Sequence, residues 1–283
     1  MPDQHRAFFA QLPFVLIGSV DQSGQSWASL LANPPGFISS PDAQTLRISA
    51  MPQGSDPLYH SLVPGASIAV LGIEQHTRRR NRMNGVVTAV NPSDFVITVH
   101  QSFGNCPKYI QARQVRYQKR EAVTQARYHN SLDLELCRTI EQADTCFIAS
   151  SHPQAVHGPQ SMHGEGAAQG VDVSHRGGKP GFVKIIDNNT LLMPDYSGNR
   201  MFNTLGNLSL NPLAGLLFID FDSGDLVQLA VRAEIIVDAQ QIRDFNGAER
   251  LLKLHITRIL HTYAGAHLHW ESDVQYSPYL GQL

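Results

Sequence analysis

The hydrophobic positions of the chain fall into short, dense runs bounded by turn residues, and these runs come round twice in the same order. Phe8, Phe9 and Leu12 mark one face of a short helix leading into Phe14-Val15-Leu16-Ile17. Leu134, Leu136, Ile140 and Ala143 do the same ahead of Cys146-Phe147-Ile148-Ala149. Pro35-Gly36-Phe37-Ile38 returns as Pro180-Gly181-Phe182-Val183, Thr45-Leu46-Arg47-Ile48 as Thr190-Leu191-Leu192-Met193, and a short helix at Leu58 to Leu62 as Met201 to Leu205. Ser67 to Glu74 then matches Leu213 to Asp220, and Arg82 to Val87 matches Gln228 to Ala233. Short runs rich in β-formers, set between turn residues, are the pattern of buried strands. With about six strands and one helix per repeat, and no helix between successive strands, each repeat predicts a small barrel rather than a parallel α/β sheet.

The same reading divides the chain. Residues 1–106 form an N-terminal barrel copy and residues 131–240 a C-terminal one. Residues 107–130 are polar and rich in Gln and Arg, with Pro107 suited to a helix N1 position, and predict a helical linker. Ser131 and Asp133 offer N-caps for the helix that opens the second copy. The run Ala248 to Leu254 with Ile256 is compatible with a helix, so residues 241–283 read as a helical and aromatic tail.

Composition narrows the function. With 42% hydrophobic and 16% charged residues, the 283-residue chain is an ordinary globular protein that can bury a full core. A net charge of −2 and a pI near 6.7 exclude broad attraction to nucleic acid or anionic lipid, so neither is expected as a partner. The one basic run, Arg78-Arg79-Arg80-Asn81-Arg82, lies in a strand-like segment and reads as a solvated edge or a phosphate site. Cys106, Cys137 and Cys146 are widely spaced, without a C-x-x-C pair, which fits a reducing, cytoplasmic setting. The apolar stretch Phe14 to Val20 is far too short to span a bilayer and reads as a strand.

Four segments of the second copy carry a more specific signal: Val171-Asp172-Val173-Ser174-His175-Arg176-Gly177-Gly178, Asp195-Tyr196-Ser197-Gly198-Asn199-Arg200, Asn211-Pro212, and Gly224-Asp225-Leu226-Val227-Gln228 through Glu234. In this order and spacing the chain resembles the pyridoxamine 5'-phosphate oxidase-like, FMN-binding split-barrel superfamily. The resemblance implies a mainly β fold of two tandem split β-barrels forming a pseudo-dimer, which can dimerise again. It also implies FMN as cofactor. A flavin phosphate needs charge-assisted donors beside a loop that opens a helix. The resemblance assigns that role to Arg176, Ser197 and Arg200, with Ser174, His175, Asp195, Tyr196 and Asn199 around them. It places Gln228 at the flavin ring, and lets Arg82, Lys108 or Tyr109 reach the same flavin from across the barrel interface. In the first copy, Pro57 stands where Arg200 stands in the second, and Leu31-Ala32-Asn33 answers to Ser174-His175-Arg176. One complete site per chain is therefore expected.

The implied activity is a flavin-dependent oxidation or reduction of a small molecule, the alternative being non-catalytic binding or storage of a flavin or haem. No proton-transfer residue is singled out. The histidines at 152, 157 and 163 and at 261, 267 and 269 lack a ligand spacing with carboxylate or thiolate partners, so no metal is expected. The Gly-rich stretch from Ser151 to Gly170 reads as a lid or an excursion. Cys106, before Pro107 at an expected helix start, is more simply an inert thiol than a redox group.

Overall fold

A computed structural model of the chain describes residues 1–119, 125–157, 169–198 and 200–282. The first barrel begins with helix α1 (Asp3–Ala10) and strands β1 (Phe14–Val20), β2 (Ser26–Ala32), β3 (Ile38–Ser39) and β4 (Thr45–Ile48). Helix α2 (Pro57–Ser61) follows, then β5 (Ser67–Glu74), β6 (Arg79–Val90) and β7 (Phe95–Gly104). After a connection holding β8 (Val115–Tyr117) and β9 (Ala126–His129), the second barrel repeats the plan. It comprises α3 (Leu134–Gln142), β10 (Thr145–Ser151), β11 (Val171–Gly177), β12 (Lys184–Asp187), β13 (Thr190–Tyr196), α4 (Asn203–Leu210), β14 (Leu213–Ile219), β15 (Leu226–Ile236), α5 (Ala239–Ile242) and β16 (Ala248–Thr262). β17 (Leu268–Trp270) lies in the C-terminal segment.

The duplication is visible in the strand order. The first sheet runs β2-β1-β5-β6-β7-β4-β3, and the second β11-β10-β14-β15-β16-β13-β12. Strand for strand these are the same antiparallel path, with β9 added beside β16. Each barrel has its own core, one around Ile17, Leu46, Val70 and Phe95, the other around Ile148, Leu191, Leu216 and Leu252. A third core lies between them, where Leu16, Leu30 and Leu71 meet Phe147, Val173 and Leu217. Alternation explains this: Phe14 and Leu16 face the partner barrel, while Val15 and Ile17 face their own. The barrels approach so closely that a Cβ on Gly215 would lie 2.5 Å from the Ser26 carbonyl oxygen.

Two expectations require correction. Residues 107–130 are not a helical linker. Among the described ones, Val115 and Tyr117 alternate with the exposed Arg116, and β8 pairs with β17. Ile110 joins the inter-barrel core, and pairing with the C-terminal segment supplies the backbone hydrogen bonds that a helix would have supplied internally. Residues 241–283 are likewise no helical tail: apart from the end of the four-residue α5 and a 3-10 helix at Pro278–Gln282, the described ones carry β16, the longest described strand, between β15 and β13, and then β17. The second barrel therefore extends to Thr262 and not to residue 240. Leu252, Leu254 and Ile256 are buried, whereas Lys253 is half-buried and His255 and Thr257 are exposed. That period of two is a strand signature that helix propensity masked.

Asp133 caps α3 by accepting from the Leu136 amide at 3.0 Å. No helix among the described residues is long and apolar enough to cross a membrane. The three cysteines are free.

Candidate functional site

The edge strand β11 sits beside the first barrel, and its alternation decides what can reach the groove between them. Ser174 and Arg176 project to one face, where Arg82 of β6 donates to the Ser174 hydroxyl and, at 2.8 Å, to Asp172. His175 projects to the other, with its ring edge-on to Phe147 at 5.8 Å in the inter-barrel core. Together with the start of α4, the end of β13 and the segment after β7, this edge encloses a cleft of about 920 Å³ counted with its open mouth.

Six cationic side chains line the cleft, Arg80, Arg82, Lys108, Arg176, Arg200 and Arg250, against two carboxylates, Asp195 and Glu249. The carboxylates are already engaged. Asp195, buried on β13, takes Arg250 at 3.1 Å from the facing position of β16 and Arg176 at 3.9 Å, while Glu249 pairs with Arg250. Arg80 meets only backbone oxygens, of Cys106 at 2.8 Å and His175 at 3.4 Å. Burial first, then the like charges of Arg82 and Arg176, push its guanidinium pKa down. Such crowding of positive charge is relieved by an anion. Arg200, exposed and in the left-handed region at φ 58°, makes no hydrogen bond or ion pair among the described residues. The buried Nε atoms of Arg82 and Arg176 also lack partners.

An aromatic wall closes one side. Tyr109 and Tyr196 lie 5.3 Å apart, the Tyr109 hydroxyl donates to the Ser197 carbonyl at 3.2 Å, and Lys108 sits over Tyr279 at 5.2 Å. Tyr109 has φ 62°, and its carbonyl oxygen rests on Gly177, where a Cβ would lie 2.0 Å away. Burial raises the Tyr196 hydroxyl pKa to about 12, so this phenol stays neutral.

Of the residues singled out from sequence, Ser174, His175, Arg176, Asp195, Tyr196, Arg200, Arg82 and Lys108 all border this one cleft. Ser197 meets it only through its carbonyl, by way of Tyr109. Asn199 lies outside the described residues, as do 158–168 of the expected lid, His163 included. His175 borders the cleft but is almost fully buried, with its ring packed on Phe147 of the inter-barrel core. Burial, then Arg80, Arg176 and Arg113, hold its pKa well below the usual imidazole range.

Gln228 corrects the expected ring contact. Its amide points away from the cleft into the interface, donating to the Ala28 carbonyl at 3.0 Å and the Ser29 hydroxyl at 3.2 Å. The reason is the pseudo-twofold. Arg82 pairs with Leu71 as Gln228 pairs with Leu217, so Gln228 crosses to β2 as Arg82 crosses to β11. The ladders also make Ser29-Leu30-Leu31, not Leu31-Ala32-Asn33, the counterpart of Ser174-His175-Arg176. Around the matching groove of the first copy lie Leu30, Leu226 and Asp56, with no lysine or arginine. Among the described residues the charged cleft thus occurs once per chain.

Sequence reasoning missed Arg80, Glu249 and Arg250 as parts of one site, whereas Tyr109, expected to reach the flavin from the first copy, does border the cleft. Arg80 and Arg82 share a face of β6, whereas Arg79 covers Phe8 at 5.0 Å and Arg78 ties down the carbonyls of Ile110 and Gln275. Period-two alternation within the basic run was the available signal.

Residues 1–128 match a protein-family model described as Pyridoxamine 5'-phosphate oxidase. The match falls on the first barrel, whereas the motif signal lay in the second. Several solved structures are similar over about half the chain. HupZ from Group A Streptococcus is 11% identical, covering 37% of this chain and 93% of that one at a TM-score of 0.30. An FMN-binding protein from Syntrophomonas wolfei subsp. wolfei is 11% identical, covering 45% and 84% at 0.33. A FAD-binding protein from Mesorhizobium loti is 10% identical, covering 48% and 97% at 0.30. No curated protein sequence matches the chain.

Proposed function

We propose that the chain is a tandem split-barrel protein of the pyridoxamine 5'-phosphate oxidase-like kind, that it binds one FMN in the basic cleft, and that it acts as a flavin-dependent oxidoreductase on a small molecule. One observation carries the reading: a single cleft gathers six cations, of which, among the described residues, Arg200 has no partner and Arg80 meets only backbone oxygens. These residues fit a dianionic phosphate, because free guanidinium groups supply charge-assisted hydrogen bonds without first breaking an ion pair.

Arg176 and Arg200 are the phosphate ligands in this reading, with Lys108 adding charge from the facing segment. Asp195, held by Arg250, orients Arg176 and keeps its fork turned to the cleft. Tyr109 and Tyr196 offer an apolar wall for a planar ring and limit water there. When bound, the flavin supplies the electron transfer, and the protein's share is binding, orientation and exclusion of water. His175, packed on Phe147, has its pKa held below the usual imidazole range by burial and then by Arg80, Arg176 and Arg113.

The test is an FMN titration of the purified chain, followed by flavin absorbance and fluorescence quenching. One equivalent is expected, and Arg200→Ala should weaken it by about 1.5 to 3 kcal/mol, the worth of a hydrogen bond to a charged group. No FMN binding ends the proposal. Binding without reduction by NAD(P)H keeps the cofactor and removes the oxidoreductase, leaving flavin storage.

A further inference from the structure

At the far end of the second barrel, Glu135, Asp225 and His261 each bring one ligand atom to within 4.8 Å of the others. They come from three separate elements: the first turn of α3, the residue before β15, and the end of β16. None of the three lines the basic cleft.

His261 is only 1% exposed, an unusual depth for an imidazole that among the described residues is joined to no other polar group than Asp225. Its Nε2 lies 3.3 Å from Asp225 Oδ2, and its Nδ1 is buried without a hydrogen-bond partner. The His129 ring stands 6.1 Å away with its own buried Nε2 unpartnered. The carboxylates are held in position. Asp225 Oδ1 accepts from the Ala264 amide at 2.7 Å, which leaves Oδ2 turned to the histidine, and the Tyr263 hydroxyl donates to Glu135 Oε2 at 3.4 Å. Two carboxylates and one buried imidazole thus converge as a mixed oxygen and nitrogen donor set.

We propose that Glu135, Asp225 and His261 form a binding site for a divalent transition-metal ion, with zinc the best fit. Zinc–ligand bonds of about 2.0 to 2.1 Å in a tetrahedron set neighbouring ligand atoms about 3.3 Å apart. The His261–Asp225 pair already has that separation. Glu135 is exposed and closes the remaining distance by rotating its side chain. One imidazole with two carboxylates suits zinc or manganese, whereas magnesium and calcium take oxygen ligands. Three protein ligands leave a fourth position for water. The bound ion ties α3 to the ends of β15 and β16. The absence of a sequence spacing is no obstacle, since the ligands are assembled by the barrel and not by a local motif.

The experiment is calorimetric titration of the chelator-stripped, full-length chain with zinc chloride and, separately, manganese chloride, alongside thermal melting. One equivalent of zinc is expected to bind and raise the melting temperature. Glu135→Gln and Asp225→Asn should each weaken zinc at least tenfold, and Glu135→Gln, an exposed substitution, does so without threatening the fold. FMN affinity at the cleft should not change in either variant. The proposal is overturned by the absence of stoichiometric zinc binding, or by binding that survives both substitutions undiminished and so belongs to other histidines.

Discussion

Arg82 of the first barrel donates to Asp172 of the second across 2.8 Å, with both side chains almost fully removed from water. Asn84 adds a second donor to the same carboxylate at 3.0 Å. Breaking a buried pair by removing one partner leaves a stranded charge, which costs about 3 to 5 kcal/mol. Arg82→Met should therefore lower the urea midpoint strongly, and a double variant Arg82→Met with Asp172→Leu should recover most of the loss. A cost below about 1 kcal/mol for the single variant would show that the pair does not hold the barrels together.

The pseudo-symmetric position carries a different device. Asp56 is buried at the N-cap of α2, accepting from the Ser29 hydroxyl at 2.6 Å and the Leu58 amide at 2.8 Å. Burial raises its pKa from 3.8 to about 6, only partly offset by those hydrogen bonds and by Gln228. The folded state then binds this proton more tightly than the unfolded state. Stability from the group is complete below pH 3.8 and is lost as pH rises through about 6. Asp56→Asn keeps an acceptor for Ser29 and Leu58 but never ionises. It should raise the unfolding free energy at pH 8, by no more than about 3 kcal/mol, and give no gain near pH 4. An equal effect at both pH values would rule the ionisation out as the cause.

How much of this was legible follows from what each residue depends on. The repeat and the strand positions depend on local runs, so the sequence displays them, whereas the grouping of Arg176, Asp195 and Arg200 spans separate elements and was expected only from the family resemblance. β1 occupies Phe14–Val20, the whole of the apolar stretch read as a strand. Arg250 was hidden because Ala248 to Leu254 is rich in helix formers, and only pairing with β13 and β15 makes it a strand. Gln228 was misplaced for another reason. Its strand position was right, but which groove it faces depends on the barrel interface, which no local pattern encodes. The metal-type cluster depends on three elements at once, so histidine spacing carried no sign of it.

Gly177 offers the sharpest probe of whether the aromatic wall belongs to the site. A Cβ there would lie 2.0 Å from the Tyr109 carbonyl oxygen, a backbone atom that can retreat only if the whole residue moves. Tyr109 already holds φ 62° and packs on Tyr196, so Gly177→Ala should expel it from the cleft. Overpacking of this kind costs about 1 to 3 kcal/mol of stability. FMN affinity should fall more than tenfold if the wall contacts the ring. Gly198→Ala is the matched control: the residue borders the same cleft, yet its Cβ meets nothing within 4 Å, so affinity and melting temperature should stay at wild-type values. If Gly177→Ala binds FMN as tightly as wild type while its stability falls, the cost was paid in the backbone alone. Tyr109 then packs the barrel edge without touching the cofactor, and the phosphate grip of Arg176 and Arg200 must account for the affinity.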